Sequence, residues 1–520
     1  MRDAMPYRPA AEPLGMVFRR VSDGSRSSKR ASTAIIGAAL EALNPAHAVQ
    51  ARQERNWRDN YLGHYRRLVE DALAAPQATL ASAAAGMEMA WDSLRWGHEG
   101  QEHSLEWVLR RAAEPAQAEP LHTRTVRGIG PLPPAPWVVP YRGEALSGDR
   151  LRRRIDLWLQ AGVIEPSAGA ALQRCVTHSE WFDLSDRSMV LLGAGAQAGP
   201  LRWLARWRAT VLAVDQQRPA LWRAIEAIVQ GGNATLHVPV RAGAPRDAHW
   251  TEVAGADLLT QAPALTNWIC RFDAALDVAA HGYLDGERHV RLALAMDLIQ
   301  RAACMGRPDT TLAFMATPTD VFAVPGPTAR AAMQAYAGRA LLPRALQAGL
   351  AAASAGRLYQ PHVTGLSGGP GGTEYGVADC LVPHQGPNYA LAKRLQQWRA
   401  LLARDGGHRV SLNIAPSSST DSVISNPALA AAFAGARAFG VEAFAPETSS
   451  ALMAALWVHD LRCDDSAANP ARALGHPFEL FMDNACHGGL WRCAYLPRSV
   501  LPLAAALGWL RSRANRPEAE

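Results

Sequence analysis

The central part of the chain alternates short apolar strands with helical segments, and this alternation limits the possible folds more than any other feature. Strands are predicted at residues 188–192, 210–214, 234–240, 272–278 and 311–316. Helices are predicted between some of them, at 218–230 and 289–304. Strands joined by helices pair in parallel, because the crossover returns the chain to the same end of the sheet. The sequence therefore predicts an α/β fold with a parallel sheet that carries helices on both faces.

The first of these strands ends in a glycine-rich turn. Gly193, Gly195 and Gly199 follow it, and a helix is predicted to begin directly after the turn. Glycines let a backbone approach a pyrophosphate, and the amino terminus of a helix favours its charge. Asp215, 20 residues after Gly195, ends the second strand, where an acid accepts hydrogen bonds from ribose hydroxyls and repels a 2′-phosphate. This unit predicts a Rossmann-like, doubly wound nucleotide-binding domain that prefers NAD(H) to NADP(H).

S-adenosylmethionine is the alternative ligand for the same unit. Methyltransferases use a similar glycine-rich turn and a similar acid at the end of the second strand. They do not need a tyrosine–lysine pair of the kind that this chain carries further downstream.

Lysine is rare in this chain, and one of the lysines lies one helical turn after a tyrosine. The sequence has 53 basic residues, of which Lys29 and Lys393 are the lysines. Tyr389 and Lys393 are four positions apart, so they share one face of the predicted helix. A cation beside a phenol favours the phenolate, lowers the tyrosine pKa and makes the phenol a better acid at neutral pH. The pair is a candidate catalytic group, and an exposed helical pair is the alternative.

A strong strand at residues 410–414 follows this helix and leads into a loop with a proline. Pro416 is followed by three serines and Thr420. Taken in order, the glycine turn, the acid, the Tyr-x-x-x-Lys helix and this strand with its proline loop resemble the short-chain dehydrogenase/reductase family. The resemblance covers about residues 186–425.

The resemblance implies an NAD(H)-dependent oxidoreductase, with NADP(H) the less favoured cofactor, that reduces a carbonyl or oxidises an alcohol. It implies that Tyr389 donates or removes the proton and that Lys393 lowers the tyrosine pKa and binds the nicotinamide ribose. The cofactor-binding residues that it implies are Gly193, Gly195, Gly199, Asp215, Lys393, Pro416 and Thr420.

The chain also departs from the family pattern. Its turn reads Gly-x-Gly-x-x-x-Gly, the place of the family's serine holds Gly376, and no residue matches the family's helix asparagine. Thr317 and Thr319 follow the fifth predicted strand. Either hydroxyl would replace the serine and hold the substrate oxygen if residues 320–378 are an insertion. The glycine-rich loop in this insertion is interpreted as a lid over the substrate or as a flexible connector.

A histidine-containing segment, residues 280–286, follows the fourth predicted strand. In the family that the chain resembles, this place lines the adenine and nicotinamide cleft. The segment is therefore a candidate for contact with cofactor or substrate, and a surface turn is the alternative.

The remaining chain is divided by composition and by turn signals. The predicted segments are a disordered basic leader (1–32), an N-terminal helical region (33–150), two parts of the Rossmann domain (151–319 and 379–426), the insertion (320–378) and a C-terminal substrate or cap region (427–520). The extra segments predict a fairly large substrate, such as an acyl thioester or a polyketide-like molecule.

The composition and charge of the chain limit the classes of binding partner that are expected. The net charge is +6 over 520 residues with scattered arginines, which argues against a nucleic-acid surface, and no apolar run is long enough to span a bilayer. The 7 cysteines have no paired spacing, which indicates free thiols in a reducing cytoplasm and no metal site. The expected partners are a small-molecule substrate and, by the resemblance, further copies in a homo-oligomer. A catalytically inactive dinucleotide-binding scaffold is the third interpretation.

Overall fold

The structure, a computed structural model, describes residues 14–112, 120–245, 247–339 and 341–514. Its strands are β1 (Gly15–Phe18), β2 (Leu94–His98), β3 (Gln101–His103), β4 (Leu121–Arg127), β5 (Val139–Tyr141), β6 (Glu144–Leu146), β7 (Ser188–Leu192), β8 (Thr210–Val214), β9 (Thr235–Arg241), β10 (Leu276–Ala280), β11 (Thr311–Ala316), β12 (Val321–Pro325), β13 (Ser367–Gly368), β14 (Glu374–Asp379) and β15 (Val410–Ile414).

Helices fill most of the connections between these strands. They are α1 (Ser28–Glu41), α2 (Pro45–Gln53), α3 (Trp57–Ala74), α4 (Thr79–Ser93), α5 (Leu105–Ala112), α6 (Gly148–Gln160), α7 (Pro166–Thr177), α8 (Leu201–Leu204), α9 (Pro219–Gln230), α10 (Trp250–Val253), α11 (Leu258–Cys270), α12 (Glu287–Cys304), α13 (Gly326–Ala337), α14 (Leu341–Ala353), α15 (Gly386–Asp405), α16 (Asp421–Ile424), α17 (Pro427–Ala436), α18 (Pro446–Arg462), α19 (Glu479–Met482) and α20 (Pro497–Ala514). Within the ranges given above, no helix has both the length and the apolar character that a bilayer span requires.

A seven-stranded sheet forms the centre of the molecule, in the order β15–β11–β10–β7–β8–β9–β4. All neighbours pair in parallel except β4, which runs antiparallel to β9 at the edge. Ser188 of β7 lies opposite both Leu276 of β10 and Thr210 of β8, so these strands end at the same edge of the sheet. The predicted α/β fold with a mainly parallel sheet is confirmed, although β10 begins at Leu276 rather than at residue 272.

The strands β7, β8, β10, β11 and β15 of the sheet are buried on both faces because they are apolar at most positions. Successive residues of β7 point to opposite sides. Val190 and Leu192 enter a core shared with α4, α12 and α15, whereas Met189 and Leu191 enter a core shared with α7, α9 and α18. Strands that are buried on both faces are expected to be continuously apolar rather than alternating. This explains why β7 to β11 and β15 were recognisable in the sequence.

The predicted leader differs from the structure. Residues 1–13 lie outside the described residues, but β1 is buried and pairs antiparallel with β2, with Gly15 opposite Gly97. The helix α1 begins at Ser28 because Ser27 caps it, with its side chain accepting a hydrogen bond from the Arg30 amide. Residues 14–32 are therefore part of the fold and not a disordered leader.

The N-terminal region is largely helical, as predicted, but it shares the central sheet and its core. The strand β4 pairs with β9 from Leu121 opposite Arg241 to Arg127 opposite Thr235. On the sheet face, Trp91 of α4 donates from Nε1 to Asp297 of α12 at 2.6 Å. Residue 150 is consequently not a boundary between independent parts.

Residues 320–379 leave the central sheet and return to it. The strands β12 and β14 pair antiparallel from Val321 opposite Asp379 to Pro325 opposite Tyr375, and β13 adds a short third strand. The chain then enters α15 and β15, and β15 pairs directly with β11. The end of β11 and the Tyr389 helix therefore lie together, although many residues separate them in sequence.

Candidate functional site

A cavity of about 710 Å³ lies at the carboxyl edge of the parallel strands. Its lining includes the residues that follow β7, β8, β10, β11 and β15, together with the first turns of α15 and α17. The cavity spans the point between β7 and β10 where the order of the strands reverses direction. Crevices at this point are the usual ligand sites of open parallel sheets.

The glycine turn after β7 is packed tightly against neighbouring backbone. Gly193 has a φ of +97°, and a Cβ added there would lie 2.5 Å from the amide nitrogen of Gly282. A Cβ on Gly195 would lie 2.3 Å from Leu221 Cδ1. Both glycines line the cavity, and no larger residue fits either position without movement.

The hydrogen bonds of this turn are mostly internal. The amides of Gly193 and Ala194 donate to the Val214 carbonyl at 2.9 and 3.0 Å, and the Gly195 amide donates to Asp215 Oδ2 at 2.9 Å. The Gly199 amide donates to the Ala196 carbonyl at 2.8 Å. Few amide groups of the turn are therefore left for a phosphate.

The helix that was predicted to follow the turn is short. The helix α8 covers only Leu201–Leu204, one turn, and starts behind Pro200, which has no amide hydrogen. Such a short helix contributes little aligned dipole to an anion. Gly199 does not line the cavity, because its carbonyl accepts a hydrogen bond from Ser450 Oγ at 2.7 Å on the opposite side. The predicted role of Gly199 in cofactor binding is not supported by its position.

Asp215 lies at the rim of the cavity, at the end of β8. Its Oδ2 accepts from the Gly195 amide at 2.9 Å and its Oδ1 from the Gln216 amide at 2.8 Å. The acid therefore holds the turn in place. Each carboxylate oxygen can accept a second hydrogen bond, so Asp215 can also bind hydroxyl groups of a ligand.

Tyr389 and Lys393 share one face of α15, as predicted, and both line the cavity. Lys393 Nζ lies 5.9 Å from the centre of the Tyr389 ring and donates to the Met315 carbonyl at 3.4 Å and to Gln396 Oε1 at 3.3 Å. The Tyr389 phenol is hydrogen-bonded to Thr317. The ammonium group thus has long hydrogen bonds to neutral acceptors and no carboxylate in direct contact.

The two candidate threonines belong to one hydrogen-bonded chain that leads to the phenol. The hydroxyls of Thr317 and Thr319 are 2.9 Å apart, and Gln385 Nε2 donates to Thr319 Oγ1 at 2.5 Å. Thr317 contacts Tyr389 directly, whereas Thr319 is connected to the phenol through Thr317. Gln385 was not singled out in the sequence, because its position became informative only once β11 and α15 were side by side.

Burial, not the lysine charge, sets the acidity of the tyrosine. Burial raises the pKa of Tyr389 to about 12, and the hydrogen bond with Thr317 offsets only part of this. The sequence-based expectation of a lowered tyrosine pKa is therefore wrong. Burial also lowers the pKa of Lys393 to about 8, with Asp320 acting in the opposite direction. The site holds a protonated phenol and an amine that titrates close to neutral pH.

Two histidines lie beside this pair. His281 follows β10 and lines the cavity, and His289 of α12 stacks on the Tyr389 ring with centroids 5.4 Å apart. Burial, reinforced by the Lys393 charge, lowers the pKa of His281 to about 4 and that of His289 to about 3. Both rings are therefore neutral. The segment 280–286 was a sequence candidate, but His289 was not, because its contact with α15 depends on how two distant helices pack.

The outer wall of the cavity comes from the loop after β15 and from α16 and α17. Pro416 and Thr420 line it together with Val423, Leu429 and Phe433. The Asp421 amide donates to Gln197 Oε1 at 2.9 Å, which ties this wall to the glycine turn. The remainder of the predicted C-terminal cap does not reach the cavity, and α18 packs against the sheet instead.

The insertion does not act as a lid in this structure. No described residue from 320 to 378 lines the cavity. The strands β12 and β14 are held by Asp320, whose carboxylate accepts from Arg394 at 3.1 Å and Gln397 at 2.8 Å on α15. The insertion is therefore joined to α15 through Asp320 and contributes no described residue to the cavity lining.

The cysteines are all unpaired thiols, five of them buried. Across the described ranges, no group of histidine, cysteine, aspartate or glutamate side chains has the arrangement of a metal site.

Comparison with protein-family models finds no match for this chain, and comparison with curated proteins finds none either.

Removing the buried amine of Lys393 tests whether this group destabilises the folded protein. The unfolded chain keeps the Lys393 proton up to a pKa of 10.5, whereas the folded chain releases it near 8. The folded state is therefore penalised fully below pH 8, and the penalty fades as the pH rises towards 10.5. Lys393→Met is expected to raise the free energy of unfolding by about 1–3 kcal/mol at neutral pH, measured by chemical denaturation.

The control for this variant is Lys29→Met, which removes the other, exposed lysine. It should leave the unfolding free energy within about 0.5 kcal/mol of the parent. A Lys393→Met protein that is less stable than the parent would show that the ammonium group is well accommodated.

Proposed function

We propose that the protein is an NAD(H)-dependent oxidoreductase that reduces a carbonyl or oxidises an alcohol of a fairly large substrate. The observation that carries the proposal is the grouping of Tyr389, Thr317 and Lys393 in the same cavity as Gly193 and Asp215. These are the groups that the short-chain dehydrogenase/reductase resemblance implied, and they come from segments that are far apart in sequence.

The order of the strands supports a dinucleotide site. Counted along the chain from β7, the parallel strands follow the order 3-2-1-4-5-6, and the cavity lies at the reversal between the first and the fourth. This is the strand order of Rossmann dinucleotide-binding domains, whose ligands bind at that reversal. The Asp215 carboxylate at the rim favours NAD(H) over NADP(H), because it would repel a 2′-phosphate.

The chain's own residues would handle the proton. A bound nicotinamide supplies or accepts the hydride. Tyr389, protonated at neutral pH, donates its phenolic proton to the substrate oxygen during reduction, and Thr317 orients the phenol by its hydrogen bond. Lys393 stands beside the phenol, where it can donate to hydroxyl groups of the cofactor and the substrate.

The shape of Lys393 matters as well as its charge. Lys393→Arg keeps a cation but introduces a planar guanidinium that cannot occupy the same space. We expect turnover to fall at least about tenfold in this variant, measured with a carbonyl substrate and NADH. Turnover close to that of the parent would contradict the assignment of Lys393.

The wall around the proposed substrate end favours an apolar chain. Val423, Leu429 and Phe433 contribute apolar surface there, and His384 and Asn426 contribute polar groups. An acyl thioester or a polyketide-like molecule with a reducible carbonyl has this combination of an apolar chain and hydrogen-bonding oxygens.

A second candidate function is S-adenosylmethionine-dependent methyl transfer. It is favoured by the glycine turn, whose amides are mostly used internally and whose helix has one turn, because S-adenosylmethionine carries no phosphate to bind. The same Asp215 would accept its ribose hydroxyls.

Ligand binding separates the two candidates. Energy transfer from the protein's tryptophans to a nicotinamide, together with thermal shift, is measured with NADH, NADPH and S-adenosylmethionine. We expect NADH to bind and NADPH to bind more weakly, with Asp215→Asn reducing the preference between them. Binding of S-adenosylmethionine alone would overturn the oxidoreductase proposal.

A further inference from the structure

We propose that one internal water molecule binds between His281, Trp457 and Asn413 and fixes the His281 ring in a single neutral tautomer, which makes His281 a positioning residue of the site. The water site itself is independent of the proposed function. The role of the ring towards a substrate rests on that function.

A small cavity of about 20 Å³ adjoins the large one and shares His281 with it. A cavity needs roughly 10–15 Å³ to hold one water molecule, so this space is sufficient. Its lining includes Trp457 of α18 and Ser411 and Asn413 of β15, besides apolar side chains. It is therefore large enough and polar enough for a single water.

Three nitrogen atoms of the lining residues lack partners within the described part of the chain. Both ring nitrogens of His281 and the Nε1 of Trp457 are buried and make no hydrogen bond there. The two rings meet edge to face with centroids 6.4 Å apart. A buried polar atom without a partner costs about 1–3 kcal/mol, so a bound water that satisfies two of them is favoured.

The orientation of Asn413 is fixed by a buried carboxylate. Its Nδ2 donates to Asp460 Oδ2 at 2.8 Å and to Ser411 Oγ at 3.0 Å. Asp460 also accepts from Ser411, Ser466 and Asn484 at 2.7, 2.7 and 3.0 Å. With its amide nitrogen committed to this network, Asn413 can offer only its amide oxygen to the small cavity.

These partners determine how the water is oriented. The Trp457 indole can only donate, so the water oxygen accepts from it. The water donates one hydrogen to the Asn413 amide oxygen, and we assign the other to a ring nitrogen of His281. That nitrogen must be the unprotonated one, and the proton of the neutral ring stays on the other nitrogen. His281 also lines the large cavity, so in the proposed reaction the fixed tautomer decides whether the ring meets a substrate oxygen as a donor.

The test uses ¹⁵N NMR of the histidine rings in the full-length protein, with no cofactor or substrate. The His281 signals are assigned by their loss in His281→Gln. We expect one protonated and one unprotonated ring nitrogen in the parent protein. Trp457→Phe keeps the aromatic packing but removes the indole N–H, and we expect the two His281 signals to move towards each other as the tautomers mix.

The matched control is Trp57→Phe, which removes a buried indole whose Nε1 also has no partner and whose ring stacks on a different histidine, His64. It should leave the His281 signals unchanged. Mixed tautomers in the parent protein, or signals that Trp457→Phe does not alter, would overturn the water site.

A kinetic measurement tests the role of the His281 ring separately. If NADH-dependent turnover is established, Trp457→Phe is expected to lower kcat about three- to tenfold with KM little changed, because only the pre-orientation of a donor is lost. An unchanged kcat together with altered NMR signals would refute the positioning role and leave the water site. Fixed tautomers in a protein that binds no NADH would support the water site and count against the proposed function alone.

Discussion

Replacing Tyr389 by phenylalanine is expected to lower turnover by about 100- to 10,000-fold, the usual loss when a positioned proton donor is removed. The phenol is hydrogen-bonded to Thr317, and its pKa of about 12 keeps it protonated at neutral pH, so it is a donor in the direction of carbonyl reduction. The variant should still bind NADH, because the glycine turn and Asp215 are untouched. The measurement is the rate of NADH oxidation with a carbonyl substrate, alongside NADH affinity.

Tyr65→Phe is the control for this variant. Tyr65 of α3 is also fully buried, and burial also raises its pKa, but it lies outside the cavity. It should leave turnover within a factor of about three of the parent. If Tyr389→Phe and Tyr65→Phe behave alike in every assay, the site is inactive, and the interpretation as a dinucleotide-binding scaffold is favoured.

Replacing Glu165 by alanine is expected to lower the free energy of unfolding by about 3–5 kcal/mol, as for other buried ion pairs that lose one partner. The Glu165 carboxylate accepts from Arg492 at 2.8 and 2.7 Å, from His487 at 2.8 Å and from Thr328 at 2.7 Å. It therefore joins α7 and α13 to the segment before α20. Alanine would leave these donors without an acceptor.

The same carboxylate predicts an acid-sensitive fold. Burial pushes the pKa of Glu165 up, but the hydrogen bonds from His487 and Arg492 outweigh it and bring the pKa to about 2. Because the folded pKa lies below the unfolded value of 4.5, its contribution is complete above pH 4.5 and is lost as the pH falls towards 2. Chemical denaturation at neutral and at acidic pH measures this.

Glu144→Ala gives the comparison for Glu165→Ala. Glu144 pairs with Arg150, but their side chains are 61% and 57% exposed. Exposed pairs of this kind contribute about 0–1 kcal/mol. An equal decrease in the free energy of unfolding of the two variants would mean that the buried network stabilises the fold no more than a surface ion pair does.

Much of the central sheet could be predicted because its strands are continuous apolar runs between turn residues. The predicted bounds of β7, β8, β11 and β15 agree with the structure. The strand β10 was placed too early because Phe272 looks like its start, whereas the pairing with β7 begins at Leu276. The edge strand β4 was missed because its pattern is largely polar, and only its partner β9 reveals it.

The candidate site was predictable where its residues stand at fixed local spacing. Tyr389 and Lys393 are one turn apart on a helix, and Gly193 and Asp215 end neighbouring strands, so the sequence alone places each pair. The choice between Thr317 and Thr319 was not predictable, since it depends on which hydroxyl reaches α15. The tyrosine pKa was predicted wrongly because the sequence reveals the neighbouring charge but not the depth of burial.

The two ends of the insertion between β11 and α15 are held together by hydrogen bonds. The Cys380 amide donates to the Asp320 carbonyl at 3.0 Å, and the ladder from Val321 opposite Asp379 continues away from the cavity. Once two ends are fixed in this way, each doubling of the loop length between them adds only about 0.6 kcal/mol to the unfavourable free energy of loop closure. The part of the insertion between β12 and β14 is therefore a place where relatives of this chain can gain or lose residues. A reporter domain can also be inserted there while the geometry around Tyr389 is preserved.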